Sequence, residues 1–350
     1  MKKLIIFSLT VIILIGICAG CLQNEPSPQE ASSQEASSQE ASPQEALSQE
    51  TLPQEALPLA ATYAPSDNPV YFTADISPQG LLAVYEALGA DPSGNIAVKI
   101  STGQPGSNYL RAELIKDLVQ SLNGTIVECN TTYGGSRAST AMHMQVAKDH
   151  GFTDIAAVDI MDSEGEISLP VKDGEILQEN LVGSHFTDYD YFVILSHFKG
   201  HPMAGFGGAI KNMSIGIASS AGKSWIHSGG KTKSGVGGDQ NNFLKSMAEA
   251  SKSVVDSLNG HILYINVMNR LSVDCDCIAN PAEPDMHDIG ILASFDPVAL
   301  DQACVDLIAS ASDGASVMNR INARNGLLTL EHAAAIGLGS REYTLVNIDD

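Results

Sequence analysis

The stretch YFVILS, residues 191–196, is an uninterrupted apolar run that stops at a serine. A run of this length, without the alternation of a half-exposed strand, predicts a β-strand that is buried on both faces. Similar runs recur along the chain, and we predict a strand at each of them: residues 70–74, 96–100, 125–129, 262–267, 289–293 and 343–348. Strands of this kind are typical of a parallel sheet whose two faces are both covered.

Helical patterns occupy the segments between these strands. Apolar residues recur with helical spacing in residues 78–88, 111–122, 138–150, 241–258 and 297–309. Asp296 is suited to cap the last of these helices, and Pro297 suits its first turn. The alternation predicts an α/β fold, a mostly parallel sheet with helices on both faces, either as one body or as two subdomains around a cleft. Ligands bind such sheets at the carboxyl ends of the strands.

The charge balance of the chain argues against one class of partner. Among 350 residues there are 19 Lys and Arg against 41 Asp and Glu, a formal net charge of -22. Nucleic-acid binding needs a basic surface that neutralises phosphates, so we expect no nucleic-acid partner. An acidic surface suits a soluble protein in salt, or one that handles cations.

The first 21 residues have the pattern of a secretory signal. Lys2 and Lys3 precede an apolar run at residues 4–17, which ends in Cys18-Ala19-Gly20-Cys21. This ending resembles a lipobox, in which Cys21 becomes the lipidated N-terminus. An uncleaved anchor is the alternative, although the run is shorter than the ~20 residues that span a bilayer. Both predict an extracytoplasmic protein held to a membrane.

A repetitive segment follows at residues 22–67. A pentapeptide such as Gln29-Glu30-Ala31-Ser32-Ser33 repeats, with seven Glu and no Lys or Arg between residues 22 and 60. A period of five gives no apolar face, and the like charges repel one another. We therefore predict a disordered tether that joins the membrane to an α/β domain at residues 68–350.

The first candidate site follows the strand at residues 191–196. Residues 196–212 place two His and two Lys, His197, Lys199, His201 and Lys211, among four Gly. Such a segment predicts a loop whose backbone can approach a ligand closely, with a merely solvated loop as the alternative. Gly200 and Pro202 argue against a shared helical face for the two histidines, so a metal would have to be bound from a loop.

The second candidate site is the run Asp274-Cys275-Asp276-Cys277. Two thiols and two carboxylates within four residues favour a divalent metal, and thiolate prefers zinc, iron or copper. Cys275 and Cys277 are spaced too closely to complete a site alone, so His197, His201 or Cys129 would supply further ligands. A disulfide is the first alternative, since the exterior is oxidising, and a turn without a ligand is the second.

Two Gly-rich segments complete the candidates. Ser101, Thr102 and Gly103 follow a strand and lead towards a helix, which predicts an anion cradle, and Arg137 follows the next strand. Residues 216–224 resemble a nucleotide-binding P-loop but have five residues between the glycines where four are needed, so we reject ATP hydrolysis. We expect residues 225–231 to form a flexible flap that carries His227 over the site.

The residues quoted above resemble one family. Residues 196–211, 212–219, 272–277 and 288–301 together are similar to the family of the domain of unknown function 362, over nearly all of residues 68–350. Many members carry an added iron-sulfur domain, so the resemblance implies an association with iron-sulfur or ferredoxin chemistry. This chain has no Cys-x-x-Cys-x-x-Cys array, so we expect a lipoprotein-like form without the cluster domain. It also has Ser101 where related chains commonly have His.

A shorter segment is similar to the nickel-pincer lactate racemase. The run Gly207-Gly208-Ala209-Ile210-Lys211 resembles the loop that presents a lysine to a covalently held cofactor. The resemblance implies that Gly207 and Gly208 lie against a cofactor and that Lys211 anchors it. It also implies that His197 or His201 is the proton-transfer base.

Together these observations predict a cleft that binds a divalent metal or metal cluster. The predicted metal ligands are His197, His201, Cys275 and Cys277, and the predicted catalytic residues are Lys211, His197 and Lys199. The leading hypothesis is a metal-dependent enzyme that acts on a small anionic organic molecule, with a lysine stabilising an enolate-like intermediate beside a His base. The alternatives are a non-catalytic metal or iron-sulfur carrier on the cell surface and a redox protein that uses Cys275 and Cys277.

Overall fold

The computed structural model describes residues 68–349. The predicted signal at residues 1–21 and the whole of the predicted tether at residues 22–67 lie outside the described residues. All described residues belong to a single unit, so they contain no cleft between two subdomains. None of the helices within this part of the chain is long and apolar enough to cross a bilayer.

The described residues alternate between strands and helices. The strands are β1 Pro69–Thr73, β2 Ile96–Lys99, β3 Thr125–Glu128, β4 Val158–Ile160, β5 Glu166–Pro170, β6 Glu179–Gly183, β7 Tyr191–His197, β8 Lys199–His201, β9 Gly205–Gly207, β10 Ile262–Met268, β11 Gly290–Ser294 and β12 Thr344–Asn347. The helices are α1 Pro78–Ala87, α2 Ala112–Ser121, α3 Thr140–Asp149, α4 Ala209–Ile217, α5 Ser220–His227, α6 Gln240–Leu258, α7 Pro297–Ser310, α8 Ala315–Ala323 and α9 Leu328–Ala335.

Eight of the strands form the central sheet, in the order β12-β1-β11-β10-β7-β2-β3-β4. Neighbouring strands are parallel except where β11 pairs with β1 and with β10. The prediction of a mostly parallel sheet is therefore confirmed. Since β2, β3, β7 and β10 run in the same direction, their carboxyl ends meet at one edge of the sheet.

Helices cover both faces of the sheet, as predicted. Successive strand residues point to opposite faces, so Ala97 packs into one apolar core and Val98 into the other. The core around Val98 includes residues of α1, α2 and α3, whereas the core around Ala97 includes residues of α4, α6, α7, α8 and α9. This double burial explains why the strands are apolar at every position rather than at alternate ones.

Two segments that we expected to be irregular have regular structure. The expected loop at residues 196–212 contains the β8–β9 hairpin and the start of α4. The expected flap at residues 225–231 is wrong at residues 225–227, because these belong to α5, which Ser219 caps by accepting the backbone N–H of Gly222. A Cβ at Gly222 would lie 2.0 Å from the carbonyl oxygen of Leu181, so this glycine permits close packing rather than flexibility.

Candidate functional site

A cavity of about 200 Å³ lies at the edge of the sheet where β2, β3, β7 and β10 end. Its wall is continued by the β8–β9 hairpin, by α4 and α5, and by the segment that holds Cys275 and Cys277. The lining side chains that the following paragraphs use are Lys99, Glu128, Arg137, His197, Lys199, His201, Lys211, Lys223, His227, Cys275, Asp276 and Cys277. The three sequence segments predicted to contribute to a site therefore meet at one cavity.

Cations outnumber carboxylates in the described cavity wall. Five of the lining side chains are lysine or arginine: Lys99, Arg137, Lys199, Lys211 and Lys223. The two carboxylates among the described lining residues are Glu128 and Asp276, so the formal charge of the wall is five minus two, or +3, without the histidines. This positive cavity lies in a chain of net charge -22. The local charge favours an anionic ligand.

Glu128 holds one group of cations at the ends of β2 and β3. Lys99 donates a hydrogen bond to Glu128 Oε2 at 2.9 Å, and Arg137 approaches Glu128 Oε1 at 3.4 Å. Burial alone would raise the pKa of Glu128, but the positive charges of Lys99, His143 and Arg137 outweigh it and lower the pKa to about 2. Glu128 is therefore a buried carboxylate that fixes two cations of the cavity wall.

Glycine at position 216 makes the position of Lys99 possible. A Cβ on Gly216 would lie 2.5 Å from both Cε and Nζ of Lys99. With no side chain in the way, the ammonium group passes α4 and donates to Asn212 Oδ1 at 2.9 Å. Lys99 thus reaches the cavity through a gap that only glycine leaves open.

Asp276 holds the second group of cations. Lys199 donates to Asp276 Oδ1 at 2.8 Å, and His197 Nδ1 lies 3.0 Å from Asp276 Oδ2. All three side chains are buried. Burial would raise the pKa of Asp276, but His197 and Lys199 lower it well below its usual range. Lys199 is thus an ion-pair partner of Asp276, and we place it in the wall rather than among the reacting groups.

His197 does not offer a lone pair to a metal. Its Nε2 donates to the carbonyl oxygen of Asn269 at 2.8 Å, and its Nδ1 faces Asp276. Both ring nitrogens are therefore bonded within the protein, whereas a metal ligand needs one nitrogen with an unshared pair. His197 is therefore neither a metal ligand nor the proton-transfer base, contrary to the prediction from the sequence.

The ligand atoms of His201, Cys275 and Cys277 all lie within 4.8 Å of one another. This spacing is close enough for the three side chains to bind one metal ion when the cysteines are reduced. In the structure Cys275 and Cys277 form a disulfide instead, the alternative that we considered for this pair. Cys129, a further candidate ligand, is buried apart from this group, and its thiol donates to the carbonyl oxygen of Ile217 at 3.2 Å.

The hydrogen bonds of His201 oppose metal ligation. Its Nδ1 accepts hydrogen bonds from the backbone N–H groups of Met203, at 3.1 Å, and Ala204, at 2.9 Å. Burial, together with the charge of Lys211, lowers the pKa of His201 well below its usual value, so the ring is neutral. Its single proton is therefore on Nε2, which lies 3.8 Å from the sulfur of Cys277. A metal at Nε2 would have to displace this proton, so the group fits a metal poorly as it stands.

Lys211 is the lining cation that has neither a hydrogen-bond partner nor a counter-ion among the described residues. Among the described residues its ammonium group has no hydrogen-bond or ion-pair partner, whereas Lys99 and Lys199 each pair with a carboxylate. Burial lowers the pKa of Lys211 to about 8, and the charges of Lys99, Arg137 and Lys223 add to this effect. An unpaired ammonium group in the wall of a cavity is placed to receive an anionic ligand.

We expect the substitution Lys211→Met to stabilise the protein at neutral pH. The pKa of Lys211 is about 8 in the fold and 10.5 ordinarily, so below about pH 8 the fold holds an ammonium group that water would hold better. Removing it should raise the free energy of unfolding by about 1–3 kcal/mol. The gain should shrink as the pH rises from about 8 to 10.5, because the unfolded chain then holds the extra proton.

Chemical denaturation at several pH values measures this effect. The control is Lys116→Met, which removes the same charge from an exposed position on α2 and should change stability by less than about 0.5 kcal/mol. Destabilisation by Lys211→Met at neutral pH, with Lys116→Met neutral, would contradict the unpaired state of Lys211.

His227 is the cavity histidine that keeps an accepting nitrogen. Its Nδ1 donates to the carbonyl oxygen of Lys223 at 2.6 Å, and its ring stacks on Phe243 at 4.6 Å between centroids. Burial lowers the pKa of His227 to about 4, so the ring is neutral and Nε2 carries a lone pair. No described residue donates to this Nε2.

The predicted anion cradle is only partly at the cavity. Ser101 and Arg137 line it, but the N–H of Thr102 donates to Glu128 Oε1 at 2.9 Å and Gly103 turns away against Tyr109. Thr102 and Gly103 therefore serve the Glu128 group and do not face a ligand. Gly207 and Gly208 do line the cavity.

The first turn of α4 is not open to an anion either. The backbone N–H groups of Ala209 and Ile210 donate to the carboxylate of Asp301, at 2.7 Å and 3.0 Å. A Cβ on Gly208 would lie 2.2 Å from Asp301 Oδ1, so the glycine makes room for this carboxylate. Asp301 thus occupies the position that a phosphate would take at a helix N-terminus.

Three charged residues of the cavity wall were not predicted from the sequence: Lys99, Glu128 and Lys223. Lys99 and Glu128 are the last residues of two apolar strands, and opposite charges at the ends of neighbouring buried strands could have indicated an ion pair. Lys223 lies in the rejected P-loop-like run and donates to the carbonyl oxygens of Ala218 and Cys129. Lys223 reaches the cavity only because of where α5 packs in the fold, and no local sequence pattern indicates that position.

The family model for the domain of unknown function DUF362 matches residues 96–306. This range contains most of the sheet and every cavity residue discussed above. The chain belongs to the DUF362 family. A search of curated proteins gives no match for this DUF362 protein.

Two solved structures match part of the chain. The lactate racemase apoprotein from Thermoanaerobacterium thermosaccharolyticum is 16% identical, with a TM-score of 0.38 over 57% of this chain and 50% of that chain. A protein from Thermotoga maritima is 15% identical, with a TM-score of 0.39 over 65% of this chain and 57% of that chain. The DUF362 protein spans less than two thirds of either solved chain, and we transfer neither protein's activity to it.

Proposed function

We propose that the cavity binds a small organic anion and that the protein is an enzyme that moves a proton on it. The observation that carries this proposal is the unpaired ammonium group of Lys211, in a wall whose cations outnumber its carboxylates by five to two. A partly buried cation without a partner costs stability, and a site that binds an anion explains why the chain retains it.

The size of the cavity restricts the ligand. A volume of about 200 Å³ is below the range of about 300–1,000 Å³ typical of drug-sized ligands. A carboxylic acid of a few carbon atoms fits this space, whereas a nucleotide does not. Met203, Ile215 and Val236 add apolar lining beside the cations, which suits a short carbon chain attached to the carboxylate.

Lys211 and His227 are the residues that suit proton transfer. A protonated Lys211 would pair with the carboxylate or stabilise negative charge that develops on a neighbouring oxygen. His227 keeps a lone pair on Nε2 and can accept a proton or a hydroxyl hydrogen bond from the ligand. The other two cavity histidines are engaged within the protein: both ring nitrogens of His197 face oxygen acceptors, and Nδ1 of His201 accepts backbone N–H groups.

A metal has no part in the proposed proton transfer, because His201 holds its proton on the nitrogen that would face the ion. A metal carrier therefore stays the alternative, favoured by the spacing of His201, Cys275 and Cys277. We also propose an extracytoplasmic location and a membrane anchor, on the sequence of residues 1–21.

Binding of small carboxylates tests the anion site. Saturation-transfer NMR with pyruvate, lactate and malate should give binding to the full chain that weakens about tenfold or more in Lys211→Met. Binding should also weaken as the pH rises through about 8, because Lys211 then loses its charge. Lys116→Met, the exposed control, should bind as the unmodified chain does.

Deuterium incorporation tests the enzyme. Incubation of lactate or malate in deuterated water should exchange the proton on the carbon beside the carboxylate, and the NMR signal of that proton should disappear. His227→Ala should abolish the exchange while carboxylate binding remains. If no small carboxylate binds at neutral pH, or if Lys211→Met binds as well as the unmodified chain, the proposal fails.

A further inference from the structure

The cavity contains a pair of sulfurs that the proposed proton transfer does not use. Cys275 and Cys277 both line it, and Cys275 is buried while Cys277 is partly exposed. The other cysteines in the described residues, Cys129 and Cys304, are buried and form no disulfide. A disulfide in the wall of a ligand cavity is within reach of whatever the cavity binds.

We propose that Cys275 and Cys277 are a redox-active pair that exchanges two electrons with small anionic thiols and disulfides. The proposal rests on the anion cavity put forward above, since the charge of the wall selects the partner. The redox reaction goes beyond the proposed function, because proton transfer by Lys211 and His227 does not involve the two sulfur atoms.

The contacts of His201 favour sulfur chemistry over metal binding. Backbone N–H groups engage its Nδ1, so the proton on Nε2 faces the Cys277 sulfur at 3.8 Å. A neutral N–H donor beside a sulfur stabilises the thiolate form, which is the nucleophile in disulfide exchange. The same proton would have to leave before a metal could bind.

The exposures of the two cysteines assign their roles. Cys277 is partly exposed and has the His201 donor, so its thiolate attacks the incoming disulfide. One thiolate leaves, and a mixed disulfide between Cys277 and the second half of the substrate forms. The buried Cys275 thiolate then attacks the Cys277 sulfur and releases the second thiolate. The protein dithiol is oxidised to the disulfide, and one substrate disulfide becomes two thiols.

The charge of the wall predicts which thiols react. Lys211 acts electrostatically on His201 and has no carboxylate partner among the described residues, so an anionic thiol should concentrate beside the pair. The rest of the protein is strongly acidic and would repel the same thiol. A preference for anionic thiols would therefore come from the cavity and not from the net charge.

Rates of reduction by matched thiols test the inference. The full chain is treated with 2-mercaptoethanesulfonate, with neutral 2-mercaptoethanol or with cationic cysteamine, and alkylation of the peptide that holds Cys275 and Cys277 is followed by mass spectrometry. Per thiolate, we expect the sulfonate to react about tenfold faster than mercaptoethanol and cysteamine to react slowest. In Lys211→Met the sulfonate should lose most of its advantage, whereas Lys116→Met should retain it.

Several outcomes would overturn the inference. Equal rates per thiolate for the three reagents, or slower reaction of the sulfonate, would show that the cavity does not select the thiol. Stoichiometric zinc that binds the reduced protein and blocks alkylation would assign the group to a metal instead. Should Lys211→Met fail to fold by its melting curve, Lys211→Gln replaces it.

The two proposals can fail separately. Carboxylate binding by Cys275→Ala/Cys277→Ala reports on the anion site alone, since that variant has no disulfide. The order of the three thiol rates reports on the sulfur pair. Carboxylate binding without thiol selectivity would leave the proposed function standing and remove this inference.

Discussion

Replacing Glu128 with Ala should destabilise the protein by about 3–5 kcal/mol, because a buried ion pair that loses one partner leaves an uncompensated charge. The carboxylate pairs with Lys99 and Arg137, which are both buried, and it accepts the N–H of Thr102. Its removal therefore strands two cations and one backbone donor. Urea denaturation at neutral pH measures the loss.

A double-mutant cycle gives the control. The double variant Lys99→Met/Glu128→Ala should lose less stability than the sum of the two single variants, by about 1–3 kcal/mol. The reason is that the double variant retains neither member of the ion pair, so no unpaired charge of that pair stays buried. Additive losses would contradict the ion pair. The pKa of Glu128 is about 2 in the fold against an ordinary 4.5, so its contribution is complete above pH 4.5 and is lost as the pH falls towards 2.

Replacing Asp276 with Ala should destabilise the protein by a similar amount, about 3–5 kcal/mol. It should also change the reactivity of the adjacent Cys275 and Cys277. Lys199 and His197 would both lose the carboxylate that they share in a buried position. The chain offers a matched control two residues earlier. Asp274→Ala breaks a more exposed ion pair with Arg320, which should cost less than about 1 kcal/mol.

The test compares the loss of stability in Asp276→Ala with the loss in Asp274→Ala. Thermal and urea unfolding of Asp276→Ala and Asp274→Ala should differ by several kcal/mol, although the residues are neighbours in one turn. Asp276→Asn should fall between the unmodified chain and Asp276→Ala, since it keeps one acceptor but no charge. Equal losses for Asp274 and Asp276 would show that the segment, and not the buried charge, determines stability.

The central sheet could be predicted because its strands leave a strong pattern. The runs at residues 96–100 and 191–196 are apolar at every position, and the structure has β2 and β7 there within one residue. The helix at residues 297–309 was placed from Asp296 and Pro297, and Asp296 does accept the N–H groups of Val298 and Ala299. Buried strands and helix caps depend on residues that are close together in the chain, so they can be predicted from the sequence.

The site was predicted less completely because its chemistry depends on contacts between distant segments. The prediction brought His197, His201, Lys211, Cys275 and Cys277 to one cavity, and all five line it. It could not indicate which nitrogen of each histidine is engaged, since His197 is bonded by Asn269, 72 residues away. It also missed the β8–β9 hairpin, because three-residue strands rich in glycine have no apolar period.

The glycine at position 216 shows how an uncharged residue can control the electrostatics of a site. Alanine there would occupy the space of the Lys99 ammonium group, which would have to withdraw from Glu128 and Asn212. The carboxylate would then lack its nearest cation, and the balance of charge in the cavity would shift without the loss of any charged residue. A comparison of family members should therefore treat a change at this glycine as equivalent to a change at the lysine.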